Sequence, residues 1–368
     1  MCVDSHNNIT TEQLYARFLK VDSIVTDSRL VLSEVAKGKK VMFFCLKGDS
    51  FDANDFIDEV LESGAAYIVS DREGVVGSEK ILKTANTLTA LQSMANHHRR
   101  GMRAQVIALT GSNGKTTTKE LMNVVLSKKY NVLSTKGNLN NHIGVPLTLL
   151  SVTDKHDIAI IEQGANHKGE IAALCAISEP DYGLITNIGK AHLEGFGGEE
   201  GIIEGKGEMF DFLLNNGSVA FYNSSLPHLS DMIAKRVGLR SVAYNSSLIT
   251  TNHLSSIDGI SFIYKDQNVT THLTGEYNLY NVLTAIAVGC YFDVEDADII
   301  SAISSYIPHN MRSQLMETSV NRVIVDAYNA NPSSMSEALK NFNRHAATKR
   351  CYILGQMNEL GSYSAKEH

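Results

Sequence analysis

The sequence predicts an α/β protein of more than one domain, built around a mainly parallel sheet with helices on both faces. Three observations predict it. Short apolar runs at 106–109, 132–134, 158–162, 183–187 and 219–222 alternate with segments of helical period, as parallel βα repeats do. A glycine-rich stretch, Thr110-Gly111-Ser112-Asn113-Gly114-Lys115-Thr116-Thr117-Thr118, joins the first of these runs to an amphipathic segment. The chain, at 368 residues, also exceeds what one hydrophobic core usually serves.

Composition narrows the setting. With 33 basic and 40 acidic residues the formal charge is −7, so neither nucleic acid nor an anionic membrane is attracted globally, and any phosphate site must be local. A hydrophobic fraction of 43% is that of a soluble globular protein, and the longest strongly apolar run, 41–46, is far too short to cross a bilayer. Asp4, His6 and Glu12 near the N-terminus, with no apolar core between them, predict no secretory signal. The five cysteines, Cys2, Cys45, Cys175, Cys290 and Cys351, lack metal-type spacing, and their odd number argues against a disulfide framework. The cytoplasm is the expected compartment.

In chain order, a helix is expected over 11–20, then a turn at Thr26-Asp27-Ser28-Arg29 ahead of a strand at 41–46. A helix over 54–63 and a strand over 66–70 complete an α/β unit. The helix over 87–100 ends in His97-His98-Arg99-Arg100, where adjacent histidines diverge; a solvated helix end rather than a metal pair is expected. The first domain closes there, at 103. Residues 241–274 lose the helical period and read as a β-rich excursion. The helix that follows carries Asn278 and Asn281, three apart and hence on one face. The last piece, 312–368, holds a strand over 322–326, a helix and a second strand over 351–354, which reads as one parallel βαβ unit. Such a unit is small and leaves a sheet edge and one face without cover. It is therefore expected to be a fragment lacking most of a longer domain and the most protease-sensitive part of the chain, with little or no turnover by the chain as it stands.

The chemistry concentrates at strand C-termini. A strand, glycine loop and helix in succession aim backbone N–H groups at one point, where a polyphosphate is held, Lys115 reaches the outer phosphates and a Thr hydroxyl reaches Mg²⁺. A standard P-loop would place Gly where Leu109 stands; here the first Gly is Gly111, giving the tighter form T-G-x-x-G-K-T-T. Glu162 closes one apolar strand and His192 follows another, and two such ends beside a phosphate loop favour a magnesium site. Lys206, flanked by Glu204 and Glu208, reads on its own as a surface ion pair. The amides of Asn138, Asn140 and Asn141 are either turn formers or recognition groups for sugar and phosphate.

This form of glycine loop, together with Gly275-Glu276-Tyr277-Asn278-Leu279-Tyr280-Asn281 and Asp326-Ala327-Tyr328-Asn329-Ala330-Asn331-Pro332, resembles the Mur ligase family, which also includes the folylpolyglutamate synthetases. The resemblance implies the three-domain Mur ligase architecture: an N-terminal α/β UDP-substrate-binding domain (1–103), a central P-loop ATP-binding domain (104–311) and an incomplete, Rossmann-like C-terminal domain (312–368). It implies ATP held by Gly111, Ser112, Asn113, Gly114, Lys115, Thr116 and Thr117, with Asn278 and Asn281 at the adenine. Arg312, Asp326 and Asn329 would approach the nucleotide when the C-terminal domain closes. It further implies one Mg²⁺ on Thr116 and Glu162, and a second on Glu162 and His192 positioned by Lys206 as a CO₂-derived carbamate. Ser28, Arg29 and Lys47 would meet the UDP part of the substrate, and Asn138, Asn140 and Asn141 its sugar and phosphates. Two departures stand out: Asp52-Ala53-Asn54 where relatives often have Asp-Gly-His, and Gln356 where they usually have Asp.

The run Asp-x-Tyr-Asn-Ala-Asn-Pro resembles the family members that add D-alanyl-D-alanine. The reaction this implies is ATP-dependent amide formation in cytoplasmic peptidoglycan precursor synthesis. The terminal carboxylate of UDP-N-acetylmuramoyl-tripeptide is phosphorylated to an acyl phosphate, which the amine of D-alanyl-D-alanine attacks. A monomer without nucleic-acid or membrane partners is expected. Another ligase of the superfamily, acting on folate or an earlier muramoyl peptide, and a substrate-binding chain without turnover are the alternatives.

Overall fold

The computed structural model describes residues 8–250, 258–344 and 349–368, with the backbone of Ser255–Ser256. The expectations for Cys2 and for the polar N-terminal residues Asp4 and His6 lie outside them. Two compact units are present, Met1–Met102 with His142–Ser151, and Arg103–Asn141 with Val152–His368.

The first unit is a four-stranded parallel sheet in the order β1 (Ser23–Val25), β2 (Val41–Phe44), β3 (Tyr67–Ser70), β4 (Ile81–Lys83). All of β2 is buried, as an unbroken apolar run covered on both faces should be. Helix α1 (Thr11–Phe18) begins with a capping box: the Gln13 N–H donates to Thr10 Oγ1 (3.3 Å), and the Thr10 N–H donates to Gln13 Oε1 (3.1 Å). The stretch expected as a turn at 26–29 is instead the start of α2 (Ser28–Ala36). Asp27 is its N-cap, accepting the Arg29 N–H at 3.1 Å, so the polar cluster satisfies a helix end rather than reversing the chain. Helices α3 (Ile57–Glu62) and α4 (Thr87–Gly101) follow. The end of α4 is not simply solvated, because Tyr15 OH lies 2.9 Å from His98 Nδ1 and joins it to α1. The helix Gly144–Leu150 also belongs to this unit, where Gln92 Nε2 donates to His142 O at 3.0 Å.

The second unit contains β5 (Gln105–Thr110), α5 (Lys115–Leu126), β6 (Val132–Ser134), β7 (Ile158–Glu162), α6 (Glu170–Ser178), β8 (Tyr182–Ile185), α7 (Glu199–Asn215), β9 (Val219–Asn223) and β10 (Arg240–Tyr244). Its main sheet has six strands, all parallel, in the order β10-β9-β8-β5-β7-β6, the mainly parallel sheet that alternation predicts. On one face Ile107, Leu109, Ile160, Leu184 and Phe221 pack into a core with α5, α8 (Tyr277–Tyr291) and α9 (Asp296–Ser305). On the other, Gly183 admits α7: a Cβ there would lie 2.8 Å from Leu213 Cδ1. The β-rich excursion contains the antiparallel pair β11 (Gly259–Tyr264) and β12 (Gln267–Thr270); residues 251–254 and 257 of it lie outside the described ones.

The expected parallel βαβ unit at 312–368 is not formed. Strands β13 (Gln314–Glu317) and β14 (Arg322–Val325) make an antiparallel hairpin, closed by the Thr318 N–H donating to Asn321 O at 2.8 Å, and α10 (Pro332–Arg344) follows. A hairpin needs only this short turn, whereas a parallel partner needs a crossover and cover on both faces. Among the described residues 351–354 pair with no strand, and Ile353 is 95% exposed.

Candidate nucleotide and metal site

Strand β5 delivers the chain to the glycine loop. Gly111 (φ 147°) and Gly114 (φ 77°) both occupy backbone conformations that favour glycine. Both are also approached too closely for a side chain. A Cβ on Gly111 would fall 1.9 Å from Thr186 Oγ1, and one on Gly114 would fall 2.5 Å from Asn281 Oδ1. The segment after β8 clamps the loop. Ser112 Oγ donates to Gly189 O (2.9 Å), the Asn113 N–H donates to Asn187 Oδ1 (3.1 Å), and Asn113 O accepts from Thr186 Oγ1 (2.6 Å) and Asn187 Nδ2 (2.9 Å). Sequence reasoning missed Thr186 and Asn187. Their only signal was their place just beyond a strand that turns out to lie beside β5.

Lys115 opens α5, and its Nζ donates to Gly111 O at 2.7 Å. Burial holds its ammonium below the ordinary lysine range; Glu162 opposes that and Arg312 adds to it. Register places Glu162 opposite Leu109, at the same sheet edge as the loop. Thr116 Oγ1 donates to Glu162 Oε1 at 3.2 Å, and Asn140 Nδ2 donates to the same oxygen at 2.9 Å. Glu162 Oε2 is buried without a hydrogen bond. A hydroxyl beside a carboxylate with one unbonded buried oxygen suits Mg²⁺, which takes one or two protein oxygens and completes its shell with phosphates and water. Thr117, the next residue on α5, is buried.

His192 sits in the left-handed region (φ 54°), and its Nδ1 pairs with Glu359. Desolvation depresses its pKa, Glu359 opposes this, and Lys115 and Lys206 push it further down, so the ring is held toward the neutral form a metal ligand requires. Among the described residues no three His, Cys, Asp or Glu side chains converge as a metal cluster. Lys206 is 1% exposed, which overturns the surface-ion-pair reading of its flanks. Glu204 pairs with Lys168, while Glu208 accepts the N–H groups of Gly169 (2.6 Å) and Ala172 (2.9 Å). Residues two apart on a helix do not share a face, so α7 turns Lys206 inward, over the Phe196 ring at 5.1 Å. Burial first, and Lys115 second, push its pKa down to about 7.

Asn278 and Asn281 are buried and engaged within the protein. Asn281 Nδ2 donates to Asn278 Oδ1 (2.8 Å), Thr118 Oγ1 donates to Asn281 Oδ1 (3.0 Å), and Asn278 Nδ2 donates to Thr274 O (2.7 Å), which fastens α8 to the start of α5. Arg312 lies 3.8 Å over the Tyr328 ring between two left-handed residues, Met311 (φ 55°) and Ser313 (φ 49°). Asp326 bonds the Ser313 N–H, and Asn329 is exposed, accepting the Ala330 N–H at 2.9 Å. The residue of this run that touches the glycine loop is Asn331, whose Nδ2 donates to Asn113 Oδ1 at 2.7 Å. Asn138 and Asn141 are exposed. In the first unit Ser28 is half-buried at the start of α2, and the exposed Arg29 is held by Asp27 through Nε (2.8 Å) and Nη2 (2.6 Å). Lys47 pairs with Asp71 (3.2 Å) and Asp52 (3.6 Å). Asn54, at the departure from the Asp-Gly-His pattern, is buried and donates to both carboxylates, at 2.9 and 2.7 Å.

Known proteins resemble this chain over most of its length. The Mur ligase middle domain matches residues 109–289, and the Mur ligase glutamate ligase domain matches 311–368. The UDP-N-acetylmuramoyl-tripeptide–D-alanyl-D-alanine ligase of Bacillus subtilis is 34% identical over 333 residues, covering 89% of this chain and 73% of the relative. The Escherichia coli enzyme of the same name is 34% identical over 375 residues, covering 98% and 80%. The crystal structure of MurF from Acinetobacter baumannii superposes with a TM-score of 0.83 at 31% identity, covering 94% of this chain and 76% of that one. MurF from Thermotoga maritima in complex with ADP gives 0.80 at 28% identity, covering 94% and 80%. The chain belongs to the Mur ligase family, and the four relatives named above are of the MurF type.

Proposed function

We propose that this chain is an ATP-dependent ligase joining D-alanyl-D-alanine to UDP-N-acetylmuramoyl-tripeptide, in cytoplasmic peptidoglycan precursor synthesis. One observation carries the reading. A clamped glycine loop has Lys115 within electrostatic reach of Glu162, Arg312, His192 and Lys206, in a chain whose relatives bear that activity in their names.

The loop N–H groups from Gly111 to Thr117 cradle the ATP phosphates, and Lys115 exchanges its bond to Gly111 O for the outer phosphates. Thr116 and Glu162 would hold one Mg²⁺, and Glu162 with His192 a second; such ions would supply positive charge beside the transferring phosphoryl group. The substrate carboxylate takes the γ-phosphoryl group to become an acyl phosphate. The amine of D-alanyl-D-alanine then attacks the carbonyl carbon, and phosphate leaves with the bonding electrons. No protein atom forms a covalent bond in either step; the residues orient reactants and neutralise charge. A neutral Lys206 amine is what addition to CO₂ requires, and its carbamate would be an anion facing the second ion. Asn278 and Asn281 frame the adenine, and Arg312, Asp326 and Asn329 approach the nucleotide from the C-terminal segment. Ser28, Arg29 and Lys47 hold the UDP group, with Asn138, Asn140 and Asn141 on the sugar and phosphates. The protein acts as a monomer without membrane insertion; among the described residues no helix is long and apolar enough to cross a membrane.

The test is ATP-dependent phosphate release by the purified chain with UDP-tripeptide and each amino donor. Release should require D-alanyl-D-alanine; equal release with glutamate and a folate, or none with any donor, refutes the reading. Gly114→Ala should also weaken ADP binding in calorimetry by about tenfold or more, because the added methyl group meets Asn281 and strains a left-handed position. Unchanged affinity would show that the loop tolerates the side chain.

A further inference from the structure

Lys119 stands one turn beyond Lys115 on α5, on the same helix face, and has no part in the site as described above. It is 3% exposed, as few lysines are. Its Nζ donates to Thr135 O at 2.7 Å and lies 4.0 Å from Glu162 Oε2. Thr135 also accepts the Glu162 N–H through its hydroxyl, at 2.9 Å, so one residue ties the ammonium and the carboxylate to the same point.

An ammonium buried among apolar strands is costly unless an anion accompanies it. Satisfying one backbone carbonyl would not need a charge. The 4.0 Å separation is short enough for strong attraction in a dry interior, yet too long for a hydrogen bond. Glu162 Oε1 is already held by Thr116 and Asn140, while Oε2 stays unbonded. We propose that Lys119 is a positioning residue for the metal-binding carboxylate: it neutralises Glu162 from within the protein while leaving Oε2 open to a divalent cation. The proposal rests on the reading of this site as a Mg²⁺–nucleotide site.

The test is a double-mutant cycle on the full chain, with Lys119→Met, Glu162→Gln and the two together, read by thermal unfolding with and without Mn²⁺·ADP. Binding of Mn²⁺·ADP is followed separately by electron paramagnetic resonance. In the ligand-free protein, Lys119→Met should lower the Tm by roughly 5 °C or more. In the Glu162→Gln background the same change should cost less than half as much, since the unpaired charge is gone. Mn²⁺·ADP should raise the Tm of Lys119→Met by more than it raises the wild type, whereas ADP with chelator should not, because the cation replaces the lost neutralisation. Additive Tm changes, or equal stabilisation by ADP alone, would overturn the proposal. If Lys119→Met is insoluble, soluble protein on adding Glu162→Gln supports the pairing, and failure of both variants counts against it. Absence of Mn²⁺·ADP binding to the wild type would refute the nucleotide-site reading, while the ligand-free cycle still decides whether Lys119 and Glu162 are coupled.

Discussion

Lys115→Ala should lower ATP-dependent phosphate release by about 100- to 1000-fold, the loss expected when a preorganised group facing developing charge is deleted. Lys115 is the only cation within the glycine loop and first turn of α5 that faces its carbonyls, with Nζ 2.7 Å from Gly111 O. When the phosphates arrive, nothing else on that turn can follow their charge. Stability should suffer little. Burial and Arg312 disfavour the ammonium, so removing it relieves a cost as well as a bond. The measurement is steady-state phosphate release at saturating UDP-tripeptide and D-alanyl-D-alanine, beside a thermal melt of the same sample. A folded variant retaining more than a tenth of wild-type turnover would remove Lys115 from the chemistry.

Lys206→Ala should cost on the order of 100-fold in turnover, and acetate or propionate should recover part of it by supplying the missing carboxylate-like group. The pH dependence carries a sign. Unmodified Lys206 has its pKa lowered from 10.5 to about 7 by burial and by Lys115. Between those values the unfolded chain binds more protons than the folded one, so this lysine makes stability rise with pH across that window; its penalty is complete below about pH 7. The same titration controls carbamylation, because only the free amine adds to CO₂. Turnover at limiting bicarbonate should therefore fall as pH drops through about 7, and added bicarbonate should move that fall to lower pH. The acetate-rescued Lys206→Ala variant should lack the bicarbonate effect. A fully active, bicarbonate-independent Lys206→Ala protein would return Lys206 to a packing role.

The sequence by itself determined the parallel sheet, the glycine loop and the carboxylate at its edge, because each is written in contiguous residues. Alternating apolar runs and helical segments specify βα repeats, Gly114 supplies the left-handed residue before α5, and Glu162 ends its own strand. Tertiary structure alone decided the rest. Strand order sets β8 beside β5, and only then can Thr186 and Asn187 clamp Asn113. Helix phase against the sheet turned Lys206 inward although its neighbours in sequence are acidic. Asn331 reaches the loop across more than 200 residues of chain, where no local pattern could announce it. β14 pairs antiparallel with β13 across a short turn, where a parallel partner would have needed a longer crossover. Local backbone demands and periodicity are properties of neighbours in the chain; burial of charge and contacts between strand ends are properties of neighbours in space.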